Sequence, residues 1–219
     1  MPDYTNRFKQ SLKAGKANIG LWISIPDAFT TEICATAEFD WMLLDGEHTP
    51  NDPRTVLSQL QALAAYNTQA VARPAVGDTH VLKQLLDVGV QNLLIPMVDT
   101  PEQARGLVQA VRYPPHGIRG VGYGTARVSR WDARKDYAQG AKDEVCLLVQ
   151  VETALGLSNL DAICQVEGVD GVFLEVHEEP SRAKSDAQNA LALDQLGALL
   201  DDLVAIHAVV TRANAAARV

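Results

Sequence analysis

Six stretches of this chain are continuous apolar runs of strand length, and segments of helical character separate them. The runs are Ile19–Ile25, Phe39–Leu44, Gln69–Arg73, Asn92–Val98, Val145–Val151 and Gly171–Val176. A strand with one wet face alternates polar and apolar residues, whereas a strand covered on both faces does not. Runs of the second kind, alternating with helices, describe βα units built into a parallel sheet. Right-handed crossovers then leave an open doubly wound sheet or a barrel. At 219 residues the chain falls short of the roughly 250 that an α/β barrel usually takes.

Helix signals fall between the runs. Residues 1–16 read as a short amphipathic helix, with Phe8 and Leu12 on one side and Lys9, Lys13 and Lys16 on the other. Asn51 or Asp52 caps a helix that has Pro53 in its first turn and runs to about Tyr66. Leu82, Leu85 and Leu86 before Gly89 mark another. Thr100-Pro101-Glu102-Gln103 is a capping-box pattern that sends Ala104, Leu107, Val108 and Val111 inward. Ser158 with Asp161 opens a fourth. Arg112–Asp143 breaks the rhythm and is long for a connection, as functional loops often are. Leu193, Leu196, Leu200, Leu203, His207 and Val210 follow spacings of three and four, which predicts one long C-terminal amphipathic helix reaching Ala217. Packing or subunit contact is the plain role for that helix, and His207 reads as a surface histidine.

Composition narrows the function classes. A net charge of −8 without a block of Lys and Arg argues against a general nucleic-acid binder. No apolar run approaches the roughly 20 residues of a membrane span. The polar start MPDYTNRFKQ gives no secretory signal. Three cysteines without CxxC spacing fit a reducing cytoplasm rather than a disulfide framework. No glycine-rich nucleotide fingerprint follows a strand.

In a parallel barrel the reactive groups gather at the C-terminal strand ends. There this chain places Asp45-Gly46-Glu47-His48, Arg73-Pro74, Gln150-Val151-Glu152 and Glu175-Val176-His177-Glu178. Gln150 and Glu152 alternate, so they share a face, and together in an interior they need a partner such as a metal ion. A guanidinium at Arg73 needs an anion, either an internal carboxylate or a bound one. Asp87 lies near a helix C-terminus, where the macrodipole disfavours an acid, which suits a residue that orients a histidine. Lysines 9, 13, 16, 83, 135, 142 and 184 all lie outside the strand runs, so metal-assisted chemistry is expected over an imine.

These residues carry a family likeness. Gly20-Leu21-Trp22, Phe39 through His48, Val71-Ala72-Arg73-Pro74, Lys83 through Gly89, Ile95-Pro96-Met97-Val98, Arg112-Tyr113-Pro114-Pro115, Val149 through Thr153 and Glu167 through Phe173 resemble the HpcH/HpaI aldolases in order, over about residues 4–174. The resemblance implies a metal-dependent, pyruvate-using aldolase on a (β/α)8 barrel of the TIM type, in a homo-oligomer, usually a hexamer. It implies a divalent cofactor (Mg²⁺, Mn²⁺ or Co²⁺) that grips pyruvate. It assigns Glu152 as a metal ligand, Gln150 as a substrate contact, His48 as the base, Asp87 as its acid partner and Arg73 as the stabiliser of the enolate.

The likeness stops after Phe173-Leu174. Where the family has Gly-Pro-Ala-Asp-Leu-Ser, this chain has Glu175-Val176-His177-Glu178-Glu179-Pro180-Ser181. By the resemblance, Glu178 falls where the family has its second metal ligand, and His177 and Glu178 fall as substrate-binding residues in the loop that holds the pyruvate carboxylate. The last two family strands are not recognisable, which points to a frameshifted, truncated or diverged C-terminal third. The expectation is one domain over 1–219, family-like over 1–176 and helical over 177–219, with a barrel incomplete after strand 6. The expected reaction is reversible cleavage of a 4-hydroxy-2-oxo acid such as 4-hydroxy-2-oxoheptanedioate to pyruvate and an aldehyde such as succinate semialdehyde. A remnant that only folds and associates is the alternative. A lyase acting on CoA thioesters ranks last, since no CoA-phosphate site is evident.

Overall fold

A computed structural model describes residues 4–183, 190–199, 201, 202 and 205. Six strands form one all-parallel sheet in sequential order: β1 (Gly20–Ile23), β2 (Trp41–Asp45), β3 (Gln69–Arg73), β4 (Asn92–Ile95), β5 (Cys146–Gln150) and β6 (Gly171–Phe173). The helices are α1 (Arg7–Lys13), α2 (Ala28–Ala35), α3 (Pro53–Leu63), α4 (Thr79–Val88), α5 (Pro101–Val111), α6 (Tyr137–Glu144), α7 (Ala154–Ser158) and α8 (Leu160–Cys164). Sequential parallel order makes the sheet curl. Its first and last strands share no ladder, yet Trp22 of β1 and Phe173 of β6 meet with ring centroids 5.8 Å apart. The described residues thus form the expected α/β, TIM-barrel-like architecture, open after the sixth strand.

The two-residue period of the strands divides the core in two. Met42, Leu44, Ala72, Leu93, Ile95, Leu147 and Val149 face the helices and pack with Val56, Leu60, Leu82, Leu86, Leu107 and Ile163. Leu43, Val71, Leu94 and Cys146 point the other way, into a smaller cluster with Trp22, Trp41, Leu148 and Phe173. Each fully buried aliphatic side chain contributes about 1.5–3 kcal/mol, so the larger layer dominates stability. The smaller layer is the barrel interior. Phe8 and Leu12 of α1 close it from the N-terminal end.

Helix boundaries follow local chemistry. Asp52 caps α3, with Pro53 at its start, and the helix ends at Leu63. Thr100 and Gln103 form the capping box of α5, whose Ala104, Leu107, Val108 and Val111 are buried. Gly89 closes α4 at φ 109°, a left-handed conformation that a side chain disfavours.

Four expectations need correction. Lys9 is not on a solvated face: it is buried, donates to the Val145 carbonyl and pairs with Asp170 at 3.0 Å, tying α1 under the sheet. Ser158 does not open a helix. Thr153 caps α7 and Ser158 is its last residue, while α8 starts after Asn159. The sixth run is not one strand to Val176: β6 ends at Phe173, and β7 (Val176–His177) pairs with β8 (Leu191–Ala192) in a separate two-stranded sheet. The Arg112–Asp143 segment is a packing unit rather than an open loop. Arg119 is fully buried in it, 4.4 Å from the Tyr113 ring centre and hydrogen-bonded to the Tyr137 hydroxyl. Residues 193–199 are helical, as expected for the C-terminal helix, and Leu200, Leu203, His207 and Val210 lie outside the described residues.

Candidate active site

Strand parity builds the site. Asp45 lies two residues beyond inward-facing Leu43, Arg73 two beyond Val71, and Gln150 two beyond Leu148. All three therefore continue the interior rows at the C-terminal rim. Asp45 and Arg73 are register partners across β2 and β3, so their side chains emerge side by side.

Arg73 is the hub. Its Nε donates to Asp45 Oδ1 and its Nη2 to Asp45 Oδ2, both at 2.9 Å. Its Nη1 lies 2.8 Å from Glu47 Oε2 and 3.3 Å from Gln150 Oε1. Of the two readings open for this guanidinium, the internal ion pair is what the chain itself provides. Gln150 is buried and passes a hydrogen bond outward, from Nε2 to Glu152 Oε2 at 3.0 Å. Glu152 Oε1 accepts the Met97 N–H at 2.8 Å. Met97 holds that N–H with φ 57°, an uncommon backbone for a side-chain-bearing residue.

Burial raises the Asp45 carboxyl pKa, but the Arg73 hydrogen bonds, the Glu47 N–H and the Arg73 charge outweigh it, so Asp45 is held below its usual value. Glu47 goes the other way. Desolvation raises it, Glu152 and Asp45 add like charge, and Arg73 and His48 only partly oppose this. Glu47 Oε2 is buried and forms its ion pair with Arg73 without an aligned hydrogen bond. The two neighbouring carboxyls are thus shifted in opposite directions, Asp45 down by Arg73 and Glu47 up by burial, while both keep Arg73 as their counter-charge.

The structure unites Arg73, Gln150 and Glu152 with Asp45 and Glu47, which the sequence placed at the same strand ends without a role, and adds Trp22. For Asp45 the signal is parity with Leu43, whereas Trp22 is placed by its register with Leu43 across β1 and β2 and Glu47 lies beyond the end of β2. His48 stands at the rim, largely exposed, with Nε2 3.7 Å from Glu47 Oε2. Asp87 is elsewhere: its carboxylate accepts from Arg119 Nη2 at 2.7 Å, and no hydrogen bond or ion pair joins it to His48 within this chain. Glu178 is exposed, and the His177 side chain lies outside the described part of the chain. Beside Glu152 opens a cavity of about 280 Å³ whose wall includes Thr153, Leu174 and Glu175. Hence Glu175, not Glu178, shares that space with Glu152.

Comparison with known proteins places this arrangement. The HpcH/HpaI aldolase/citrate lyase family model matches residues 18–177. The chain belongs to that family. It is 65% identical over 170 residues to the hydroxypyruvate/pyruvate aldolase of Deinococcus radiodurans, covering 78% of this chain and 61% of that protein. It is 55% identical over 169 residues to the 4-hydroxy-2-oxo-heptane-1,7-dioate aldolase of Shigella sonnei, covering 77% and 64%. The chain thus spans less than two thirds of the length of these relatives. An HpcH/HpaI aldolase/citrate lyase family protein from Burkholderia cenocepacia has the same fold with TM-score 0.81 at 32% identity, over 94% of this chain and 82% of that one. Macrophomate synthase shares the fold at TM-score 0.69 and 23% identity, over 98% and 76%. The matched segment contains every strand of the main sheet and the whole Arg73 cluster.

The donor set around Glu152 is all oxygen, the chemistry of hard divalent cations rather than of zinc–thiolate centres. Among the described residues no three His, Cys, Asp or Glu side chains gather as ligands. A cation at Glu152 would therefore complete its shell with substrate and water oxygens.

Proposed function

We propose that the chain is built for aldol chemistry on a 2-oxo acid: reversible cleavage of a 4-hydroxy-2-oxo acid to pyruvate and an aldehyde. The observation that supports this reading most is the Arg73 cluster. A guanidinium, an amide and two carboxyls of opposed acidity meet at the C-terminal strand ends, inside the segment shared with the aldolases. In the cleavage direction negative charge grows on the keto oxygen. Arg73 supplies a fixed positive charge for it, and Gln150 orients both Arg73 and Glu152. His48, at the rim beside Glu47, accepts the C4 hydroxyl proton and returns a proton in the reverse direction. A divalent ion (Mg²⁺, Mn²⁺ or Co²⁺) held by Glu152, with its remaining positions filled by substrate and water oxygens rather than by the exposed Glu178, would supply Lewis-acid stabilisation of the keto oxygen. Succinate semialdehyde is the acceptor to try first, and the relative named for hydroxypyruvate makes that acid a second donor to test. A cytoplasmic enzyme that works as a homo-oligomer fits this reading.

The competing reading is a fold that associates without turnover. It is favoured by the separate β7–β8 sheet, which carries Glu175 to Glu178 where the resemblance calls for a carboxylate-binding loop. The deciding experiment is deuterium exchange of the pyruvate methyl group in D2O, followed by NMR, with Mg²⁺ or Mn²⁺ and an EDTA control. Paramagnetic Mn²⁺ is stripped before spectra are recorded. Metal-dependent exchange that His48→Ala or Glu152→Ala abolishes is the expected result. A folded protein that exchanges no methyl protons with either ion overturns the aldolase reading.

A further inference from the structure

Trp22, on β1, touches three parts of the site at once. Its ring lies under the Arg73 guanidinium, with Cζ 4.5 Å from the ring centroid. Its Nε1–H donates to Asp45 Oδ2 at 3.3 Å. Its other contact is the Phe173 ring across the open side of the sheet. A guanidinium offers five N–H groups in one plane. Here Nε and Nη2 point at Asp45, and Nη1 faces Glu47 and Gln150. Those in-plane contacts fix the direction of the group and resist a tilt out of its plane least. The indole is the surface that lies against that plane.

The surrounding cluster mixes Leu43, Val71, Leu94 and Cys146 with the rings of Phe8, Trp41 and Phe173, so packing alone asks for an apolar residue there but not for an indole N–H. An indole N–H in such a layer needs an acceptor, and Asp45 is that acceptor. Trp22 thus grips both members of the Asp45–Arg73 pair, one by hydrogen bond and one by its π face. We propose that Trp22 is a positioning residue, which locks the tilt of Arg73 and the rotamer of Asp45 so that the guanidinium meets the developing enolate. The role in turnover rests on the aldolase reading above, whereas the hold on Arg73 does not.

The test reads Arg73 directly. Its Nε–H signal in a ¹H–¹⁵N spectrum is assigned by its loss in Arg73→Lys, and its exchange with solvent is measured in four proteins. Against wild type, Trp22→Leu is expected to speed exchange about tenfold, and Trp22→Phe, which keeps a ring face but loses the N–H, about threefold. Trp41→Phe, a matching change in an indole that packs against Phe8 instead, is expected to leave it unchanged. If Trp22→Leu does not fold, Trp22→Phe against Trp41→Phe decides. Equal exchange in those two overturns the proposal. In the methyl-exchange assay, Trp22→Phe is expected to lower kcat several-fold with KM for pyruvate held, as displacement of an aligned charge predicts. A kcat equal to wild type overturns the role in turnover. Absence of turnover in the wild type overturns only the aldolase reading, because the Arg73 signal needs no turnover to be read.

Discussion

Replacing Arg73 by Met tests whether the site is held together as described. Asp45 and Arg73 are 3% and 6% exposed, so their pairing is shielded from solvent. Deleting one partner of a buried pair costs about 3–5 kcal/mol, because the other charge is left uncompensated. Asp45 keeps the Glu47 N–H and the Trp22 Nε1–H, which places the loss near the lower bound. With a urea slope of about 2 kcal/mol per M, a loss of about 3 kcal/mol lowers the midpoint by about 1.5 M. Adding Asp45→Asn removes the orphaned charge and should restore about half of that loss. The pH dependence gives a second check. In the wild type the depressed Asp45 carboxyl adds stability that is present above its unfolded pKa and is lost as pH falls through the lower folded value. Without Arg73 its hydrogen bonds to that carboxyl and its charge are lost, burial is countered only by the Glu47 N–H and the Trp22 Nε1–H, and the contribution shrinks. The stability gap between the two proteins is therefore widest at neutral pH and narrows toward about pH 4. Urea titrations at pH 7 and pH 4.5 measure both. A loss below about 1 kcal/mol, or a gap that does not change with pH, would refute the assignment of this pair as buried and mutually dependent.

Three further outcomes follow from particular geometries. Gly89→Ala is expected to cost at least about 1–2 kcal/mol for a side chain at positive φ, and more because its Cβ would sit 2.5 Å from Arg127 Nη1, the donor to the Val88 carbonyl; thermal melts check this. Met97→Gly is expected to stabilise the fold by up to about 1 kcal/mol through relief of the left-handed backbone, while Gln150 still holds Glu152; a Tm lower than wild type sinks this reading. Burial pushes the Cys146 thiol up to about 12 and Cys164 up to about 11, with Asp170 and Asp161 adding to the respective shifts. Both thiols should therefore resist iodoacetamide at pH 8 in the native protein, and peptide mass spectrometry reads this out. Because both values are raised, the fold keeps their contribution below the unfolded pKa of about 8.5 and loses it as pH climbs through the folded values.

How far the sequence reveals the site depends on the range of each contact. Caps are local, so Asp52 and the Thr100–Gln103 box were readable from a few residues. The sheet was readable because burial on both faces leaves an unbroken apolar run, whichever strands become neighbours. Gln150 and Glu152 were legible as a pair by their spacing of two, and although β5 ends at Gln150 its Nε2 still reaches Glu152 Oε2. Asp45, Glu47 and Trp22 lie one step further out. The face of Asp45 follows from parity with Leu43, but its partner Arg73 sits 28 residues away, and only the β2–β3 register brings the two together; Trp22 arrives through the β1–β2 register and Glu47 from beyond the end of β2. Asp87 shows the limit. Its place near a helix C-terminus suggested a histidine to orient, whereas within this chain its ion pair is with Arg119, delivered by a segment that has no strand or helix periodicity to announce where it packs. Lys9 fails likewise, because an amphipathic pattern assigns a lysine to water unless a buried acid such as Asp170 awaits it 161 residues away. The rim beyond β6 is where both kinds of signal fade. Glu175 follows a three-residue strand, and its neighbours Val176 and His177 turn to pair with Leu191 and Ala192 instead of extending the main sheet. The residues that set charge at the site are thus held by the shared segment. Beyond β6 the chain turns into the separate β7–β8 sheet, so methyl exchange, which draws on the Arg73 cluster and a bound 2-oxo acid, is a more telling assay than cleavage of a full-length substrate.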